Sequence, residues 1–215
     1  MVKQSRQKGI IGAELGIAVI GAGRMGSQRA HIASTHPAVR FLAVSDIDPS
    51  RARTIGEKVN ADFFSGDNLE VISRPEVNAV IVSTPEHEHT LPVLQALKLG
   101  KPVLVEKPIA LSLEDANRIV TAVKQESGDL FVGYTKRYTR AYILAKEQIS
   151  RGSLGQMIGA TTRVYNSRAQ AFQILKRSPH ASPVLDVLTY YVDLILWFFA
   201  GNTPVEVVAR GQKGV

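Results

Sequence analysis

Leu15-Gly16-Ile17-Ala18-Val19-Ile20-Gly21-Ala22-Gly23-Arg24-Met25-Gly26 is the stretch that decides the fold of this chain. Its first six residues make a short, continuous apolar run, as a strand buried on both faces of a parallel sheet requires. A helical pattern leads out of it, from 25 to about 34. Gly21 permits a tight turn, Gly23 lets the backbone approach a pyrophosphate, and Gly26 lets the helix pack against the strand. The helix start adds free N–H groups and a partial positive charge, which extends the predicted phosphate-binding turn to Arg24 and Met25. The next strand ends at Asp46, twenty residues beyond Gly26. A carboxylate there suits the ribose hydroxyls of NAD and repels the extra phosphate of NADP. Arg51 and Arg53 follow closely and are the groups able to receive that phosphate, so the expectation is NAD ahead of NADP.

Outward from this motif, apolar runs alternate with helical ones. Strands are predicted at 15–20, 39–45, 62–64, 79–83, 102–106 and 130–133, with the clearest helices at 87–99 and 113–125. Ser112 and Asp115 have the spacing of a capping box, and Gly100 marks a helix end. The rhythm predicts an α/β fold with a doubly wound parallel Rossmann sheet. After Gly133 it breaks into a helix near 139–150, a strand near 157–165, an irregular polar stretch, a helix at 184–199 and a strand at 205–210. The expected organisation is a disordered leader over 1–14, a dinucleotide-binding domain over 15–133, and an incomplete α+β domain over 134–215. Two strands make a poor sheet, so the second domain is read as the start of a longer one.

Glu106-Lys107-Pro108 places a lysine where the run 102–105 ends. In open parallel sheets ligands bind just beyond the carboxyl ends of the strands, and the proline pushes Lys107 toward extended geometry. The helix at 184–199 carries Asp186, Tyr190, Asp193 and Trp197 at spacings of four, three and four, all on one stripe. Buried polar groups on such a stripe need partners.

Hydrophobic residues make up 45% of the 215 and charged residues 21%, as in ordinary globular proteins. The absence of cysteine excludes disulfides, thiolate metal sites and cysteine nucleophiles. The apolar stretch 184–201 contains Asp186 and Asp193, which argues against a membrane span and for a cytoplasmic protein. The net charge of +7 lies wholly in residues 134–215, where eleven Lys/Arg face four Asp/Glu; residues 1–133 hold fifteen of each. A basic half beside a cofactor domain fits an anionic group on a small-molecule substrate. The basic residues are scattered, without a recognition helix or aromatic platform, so no nucleic acid is expected. His87 and His89, two apart and without an acidic cluster, do not suggest a metal site. His180 precedes the Asp186 helix and is a candidate for lining the substrate pocket.

Together these residues resemble the glucose–fructose oxidoreductase / inositol dehydrogenase / rhizopine catabolism family, Gfo/Idh/MocA. The similarity runs through the glycine loop, Ser45-Asp46-Ile47-Asp48, Ser83-Thr84-Pro85 with His89, and Glu106-Lys107-Pro108. It continues through Gly133-Tyr134-Thr135-Lys136-Arg137-Tyr138 and from Asp186 to Trp197. The resemblance implies NAD(P)-dependent oxidation of a secondary alcohol on a sugar, cyclitol or related compound. It implies cofactor contacts at Thr84, Pro85, His89 and Glu106, and a Lys107 placed between nicotinamide and substrate. It also implies a homo-oligomer in the full-length form. Tyr190 departs from the family's usual histidine, and Ala181-Ser182-Pro183 replaces a glycine-rich turn. Lys107, Tyr190 and Asp186 are the expected catalytic set, with Asp186 orienting the substrate. Either Tyr190 is the base, its phenol acidified by the Lys107 ammonium, or Lys107 acts directly. Glycoside cleavage assisted by bound NAD, and a non-catalytic nucleotide sensor, are alternatives the same fold supports.

Overall fold

The strands are β1 (Leu15–Ile20), β2 (Val39–Ser45), β3 (Phe63–Ser65), β4 (Ala79–Val82), β5 (Val103–Val105) and β6 (Leu130–Val132). In the computed structural model, which describes residues 14–177, 182 and 184–211, they form one parallel sheet in the order β3-β2-β1-β4-β5-β6. The helices are α1 (Arg24–Thr35), α2 (Pro49–Lys58), α3 (Asn68–Ile72), α4 (Thr90–Lys98), α5 (Leu113–Gln125), α6 (Arg140–Ser150), α7 (Arg168–Arg177) and α8 (Thr189–Phe198).

Alternation along β1 divides the core. Ile17 and Val19 pack with Leu42 and Val44 against Ala30 and Ala33 of α1. Ala18 and Ile20 join Val80, Val82 and Val105 against Val93, Ala96 and Leu97 of α4 and Ile119 of α5. Both faces are therefore covered, which is why these strands read as unbroken apolar runs. The strand order reverses between β1 and β4, where Ile20 lies opposite Val82. Neighbouring crossovers leave in opposite directions there, and a crevice opens beyond the strand ends.

Local rules set the connections. Gly21 has φ +90°, and its carbonyl would lie 1.7 Å from a Cβ placed on Gly26, so the strand–helix turn closes only with glycine there. A Cβ on Gly23 would meet nothing within 4 Å. Asp48 caps α2 and Asp67 caps α3 through backbone N–H groups. Ser112 and Asp115 make the capping interaction expected at α5, with Asp115 N–H donating to Ser112 Oγ at 3.0 Å. Gly100 closes α4 in the left-handed region at φ +66°.

Beyond β4, a 3-10 turn (Glu86–Glu88) precedes α4, and His89 sits between the two, 1% exposed. Its Nδ1 lies 2.8 Å from the Pro108 carbonyl and its Nε2 3.1 Å from the Thr84 carbonyl. The ring ties the loop after β4 to the loop after β5. The Lys107–Pro108 peptide within the second loop is cis.

The sequence departs from its expected structure after Gly133. Neither 157–165 nor 205–210 forms a strand; Ile158, Tyr165, Val205 and Val207 stand open to solvent. A strand needs a neighbour for its backbone groups, and among the described residues these segments have none. The stretch read as irregular and polar is instead α7, anchored by buried Ile174. The single helix expected at 184–199 is a π-turn (Val184–Leu188) followed by α8. The predicted leader, apart from Glu14, lies outside the described residues, as do His180, Ala181 and Pro183. No helix among the described residues is long and apolar enough to cross a membrane.

Gly26→Ala should destabilise the protein by about 1–3 kcal/mol, the usual cost of overpacking. Gly23→Ala should unfold like the unaltered protein. Thermal denaturation of both variants checks the contrast. Burial is the main cause lowering the His89 pKa, outweighing the two carbonyls that favour the charged ring. The folded state therefore resists protonation. The stability that this neutral ring represents is complete above the unfolded value of about 6.5 and is lost as pH falls below it. Denaturant titrations between neutral and mildly acid pH should show a steeper loss for the unaltered protein than for His89→Gln.

Candidate functional site

At the sheet's reversal lies a cleft of about 510 Å³. The turn after β1 supplies Gly21, Gly23, Arg24 and Met25, and the end of β2 supplies Asp46. The loop after β4 adds Thr84, Pro85 and His89, and the end of β5 adds Glu106 and Lys107. Asp186 and Tyr190 close it from the last helical segment. Every described residue predicted for the site lines this cleft except Gly26, which packs behind it against Gly21.

At one end, Asp46 is 5% exposed and anchors the turn it faces. Its Oδ2 accepts from Ala22 N–H at 2.8 Å, and its Oδ1 accepts from Asp48 N–H and from Arg51 Nη1, both at 3.0 Å. Arg51 thus lies on the carboxylate and lines the same cleft. Arg53 instead pairs with Glu57, one helical turn along α2, at 3.7 Å. No side chain caps the start of α1. Ser83 Oγ and Thr84 Oγ1 are buried without a hydrogen-bond partner among the described residues.

At the other end, the Lys107 ammonium reaches across to the π-turn. Its Nζ donates to Asp186 Oδ1 at 2.6 Å and to the Asp186 carbonyl at 2.8 Å. Both side chains are largely shielded, 13% and 14% exposed. π-turns widen a helix locally and recur at functional sites; this one presents a backbone carbonyl and a carboxylate of one residue to one cation. Lys107 Nζ also stands 4.8 Å from the centre of the Tyr190 ring. Tyr134 meets that ring edge-on at 6.3 Å. Beside these, Arg29 Nε donates to Glu106 Oε1 at 2.8 Å, which balances the carboxylate next to Lys107.

Tyr190 runs against one expectation. Its pKa is raised from the ordinary phenol value, first by burial and then by the nearby carboxylate of Glu106. A hydrogen bond with Thr135 and the charge of Arg29 oppose this without reversing it. The ammonium contacts the ring face, and the phenol stays a proton donor at neutral pH.

The polar stripe of 186–197 splits in two. Asp186 and Tyr190 enter the cleft, while Asp193 receives the Arg137 guanidinium, Nε to Oδ2 at 2.7 Å. The Trp197 carbonyl accepts from Lys146 Nζ at 2.7 Å. The two carboxylates have each found a cation, and Arg137 on Asp193 with Lys146 on the Trp197 carbonyl joins α8 to α6 and the turn before it. Arg29 and Ser83 belong to the cleft's surroundings without having been predicted for it, whereas Arg51 was expected there as a group able to receive a 2′-phosphate. Arg51 alone carried a signal, its closeness to Asp46 in sequence.

Residues 15–134 match the family model described as an oxidoreductase family with an NAD-binding Rossmann fold. The chain is 34% identical over 145 residues to the inositol 2-dehydrogenase of Rubrobacter xylanophilus, covering 66% of this chain and 41% of that protein. It is 33% identical over 142 residues to the scyllo-inositol 2-dehydrogenase (NAD(+)) of Bacillus subtilis, covering 66% of this chain and 42% of that one. The chain thus spans less than half the length of these relatives. The crystal structure of myo-inositol dehydrogenase from Lactobacillus casei in complex with NAD(H) and myo-inositol superposes with a TM-score of 0.70 at 26% identity. That superposition covers 86% of this chain and 54% of the other. With the glycine turn, the reversal of the sheet and a match over residues 15–134, the chain belongs to the Gfo/Idh/MocA oxidoreductase family with its NAD-binding Rossmann fold.

Proposed function

We propose that this protein oxidises a secondary alcohol of a cyclitol or sugar, with NAD as hydride acceptor and Lys107 as the group that handles the hydroxyl proton. The observation carrying this reading is the Lys107 ammonium, fixed at the end of β5 by Asp186 Oδ1 at 2.6 Å and by the Asp186 backbone carbonyl at 2.8 Å. Inositol dehydrogenases among the relatives favour a cyclitol over an open-chain alcohol.

The cleft fits the dinucleotide. Space for a pyrophosphate lies over Gly23, where even a Cβ would touch nothing, and the uncapped start of α1 faces it. Asp46 receives the ribose hydroxyls, and the unpartnered Ser83 and Thr84 hydroxyls supply further hydrogen bonds. NAD held by these residues would supply the acceptor for a hydride from the carbinol carbon. The hydroxyl proton must leave in the same step, and a positioned base accelerates this. Lys107 in its amine form receives that proton, and its ammonium returns it in the reverse direction. Asp186 holds the lysine in place and accepts from a neighbouring hydroxyl of the substrate. Tyr190, kept protonated by burial, donates to the reacting oxygen.

Arg51 bears on the choice of cofactor. Asp46 disfavours a 2′-phosphate, yet Arg51 already neutralises part of its charge and is itself half exposed. The unaltered protein should bind NADH more tightly than NADPH in fluorescence titrations. Arg51→Ala should widen that gap and Asp46→Ser should narrow it. Equal affinity of the unaltered protein for both would sink the assignment of Asp46.

Lys107→Met should lower turnover by about 10²–10⁴, the worth of a positioned acid–base group, with NADH affinity little changed. Tyr190→Phe should cost less than about tenfold, in line with one lost hydrogen bond. Near-full activity of Lys107→Met would remove the dehydrogenase reading. Turnover without net formation of NADH would point to the redox-assisted hydrolase.

A further inference from the structure

We propose that the cavity walled by α7 is the specificity chamber for the substrate, and that it takes a polyhydroxy compound bearing an anionic group, a carboxylate or phosphate, away from the reacting carbinol. This deepens the preceding section and rests on its reading of Lys107 and Asp186 as the reaction centre.

The cavity has a volume of about 750 Å³ and is separate from the cofactor cleft except where the two meet. Arg24, Asp186 and Val187 line both, so the chamber opens onto the place where Lys107 and Asp186 converge. A substrate with its carbinol at Lys107 therefore extends its remaining groups toward α7.

The chemistry of that wall is specific. Gln170, Gln173 and Lys176 recur every third residue and share a helix face, while Ile174 is buried and fixes the helix beneath them. Asn166 lies one turn before Gln170 and lines the same space. The amides of Asn166 and Gln173 offer donors and acceptors together, as vicinal hydroxyls require, and Gln170, whose Oε1 accepts from Ser167 N–H at 3.2 Å, adds its NH₂ donors.

Charge completes the argument. Asp186 is the sole carboxylate among the described lining residues, and Lys107 balances it at 2.6 Å. Two cations, Arg24 and Lys176, line the chamber, and among the described residues no ion pair engages either. Arg24 opens α1 and is shared with the cofactor cleft, where a pyrophosphate has a claim on it. Lys176 lines the α7 chamber alone. A neutral polyol satisfies the amides but leaves Lys176 without a counter-charge. An anionic group at the far end of the molecule satisfies both. The same bias appears in composition, since residues 134–215 carry eleven Lys/Arg against four Asp/Glu.

The test is calorimetric binding to the NADH-loaded protein of hexuronates and aldonates in one arm, sugar phosphates in a second, and the neutral parent sugars and inositols in a third. At least one anionic arm should bind about tenfold or more tightly than its neutral parent, the scale of one charge-assisted hydrogen bond. The winning arm decides between carboxylate and phosphate. Lys176→Met should erase that advantage and leave the neutral compounds and NADH itself unaffected. Lys176→Glu should reverse the preference. Added salt should shrink the advantage, as expected of a partly exposed pair. Neutral compounds binding as well as anionic ones, equal effects of Lys176→Met on both, or no binding in any arm would each overturn the proposal. Reduction of NAD by members of the panel is read separately. A protein that binds anionic sugars through Lys176 yet never reduces NAD would keep the chamber and lose the dehydrogenase.

Discussion

Lys107 joins two parts of the chain that have no other reason to meet at this point. It stands at the end of β5, on a loop held to its neighbour by the His89 ring, and its Nζ spans to the carboxylate and carbonyl of Asp186. The sheet is covered by its own helices and needs nothing from α8. The cleft does need it, because without Asp186 and Tyr190 it is a groove open at its Lys107 end. A shielded ion pair of this kind adds little net stability, since desolvation of both charges offsets their attraction. Its consequence is positional: it fixes one cation at the mouth of the nucleotide cleft.

That fixed cation sits in a balanced field. Arg29 answers Glu106, Asp186 answers Lys107, and Arg51 answers Asp46. These three pairs are therefore matched before any ligand arrives, while Arg24 lines the cleft outside them. Tyr190 has no such match and lies near two carboxylates, so burial and repulsion act together to keep its proton on. Proximity of a lysine is not sufficient to acidify a phenol. The ammonium is spent on Asp186, and its contact with Tyr190 is with the ring face.

The polar stripe on α8 shows how one helix serves two purposes. Its first turn and the π-turn before it serve the cleft. Its later residues serve packing, through Asp193 with Arg137 and the Trp197 carbonyl with Lys146. Meanwhile Val184, Leu188, Val192 and Leu196 remain substantially exposed.

The Rossmann part was legible because its determinants are local or periodic. Gly21 and Gly26 obey a steric limit at one turn, the apolar runs alternate faces of a covered sheet, and Asp46, Glu106 and Lys107 stand at strand ends, which the topology gathers along one edge. Residues 157–165 and 205–210 have the composition of strands, but a strand is a relation between two segments, and among the described residues neither has a strand beside it. The amphipathic character of α7 was hidden by its polar residues, and only packing distinguishes Ile174 from the rest. Tertiary structure alone decided that Asp186 rather than Asp193 meets Lys107, and that Tyr190 keeps its proton. Each of these depends on distances between groups far apart in the chain, or on burial, and Coulomb and desolvation energies follow those distances and not sequence spacing.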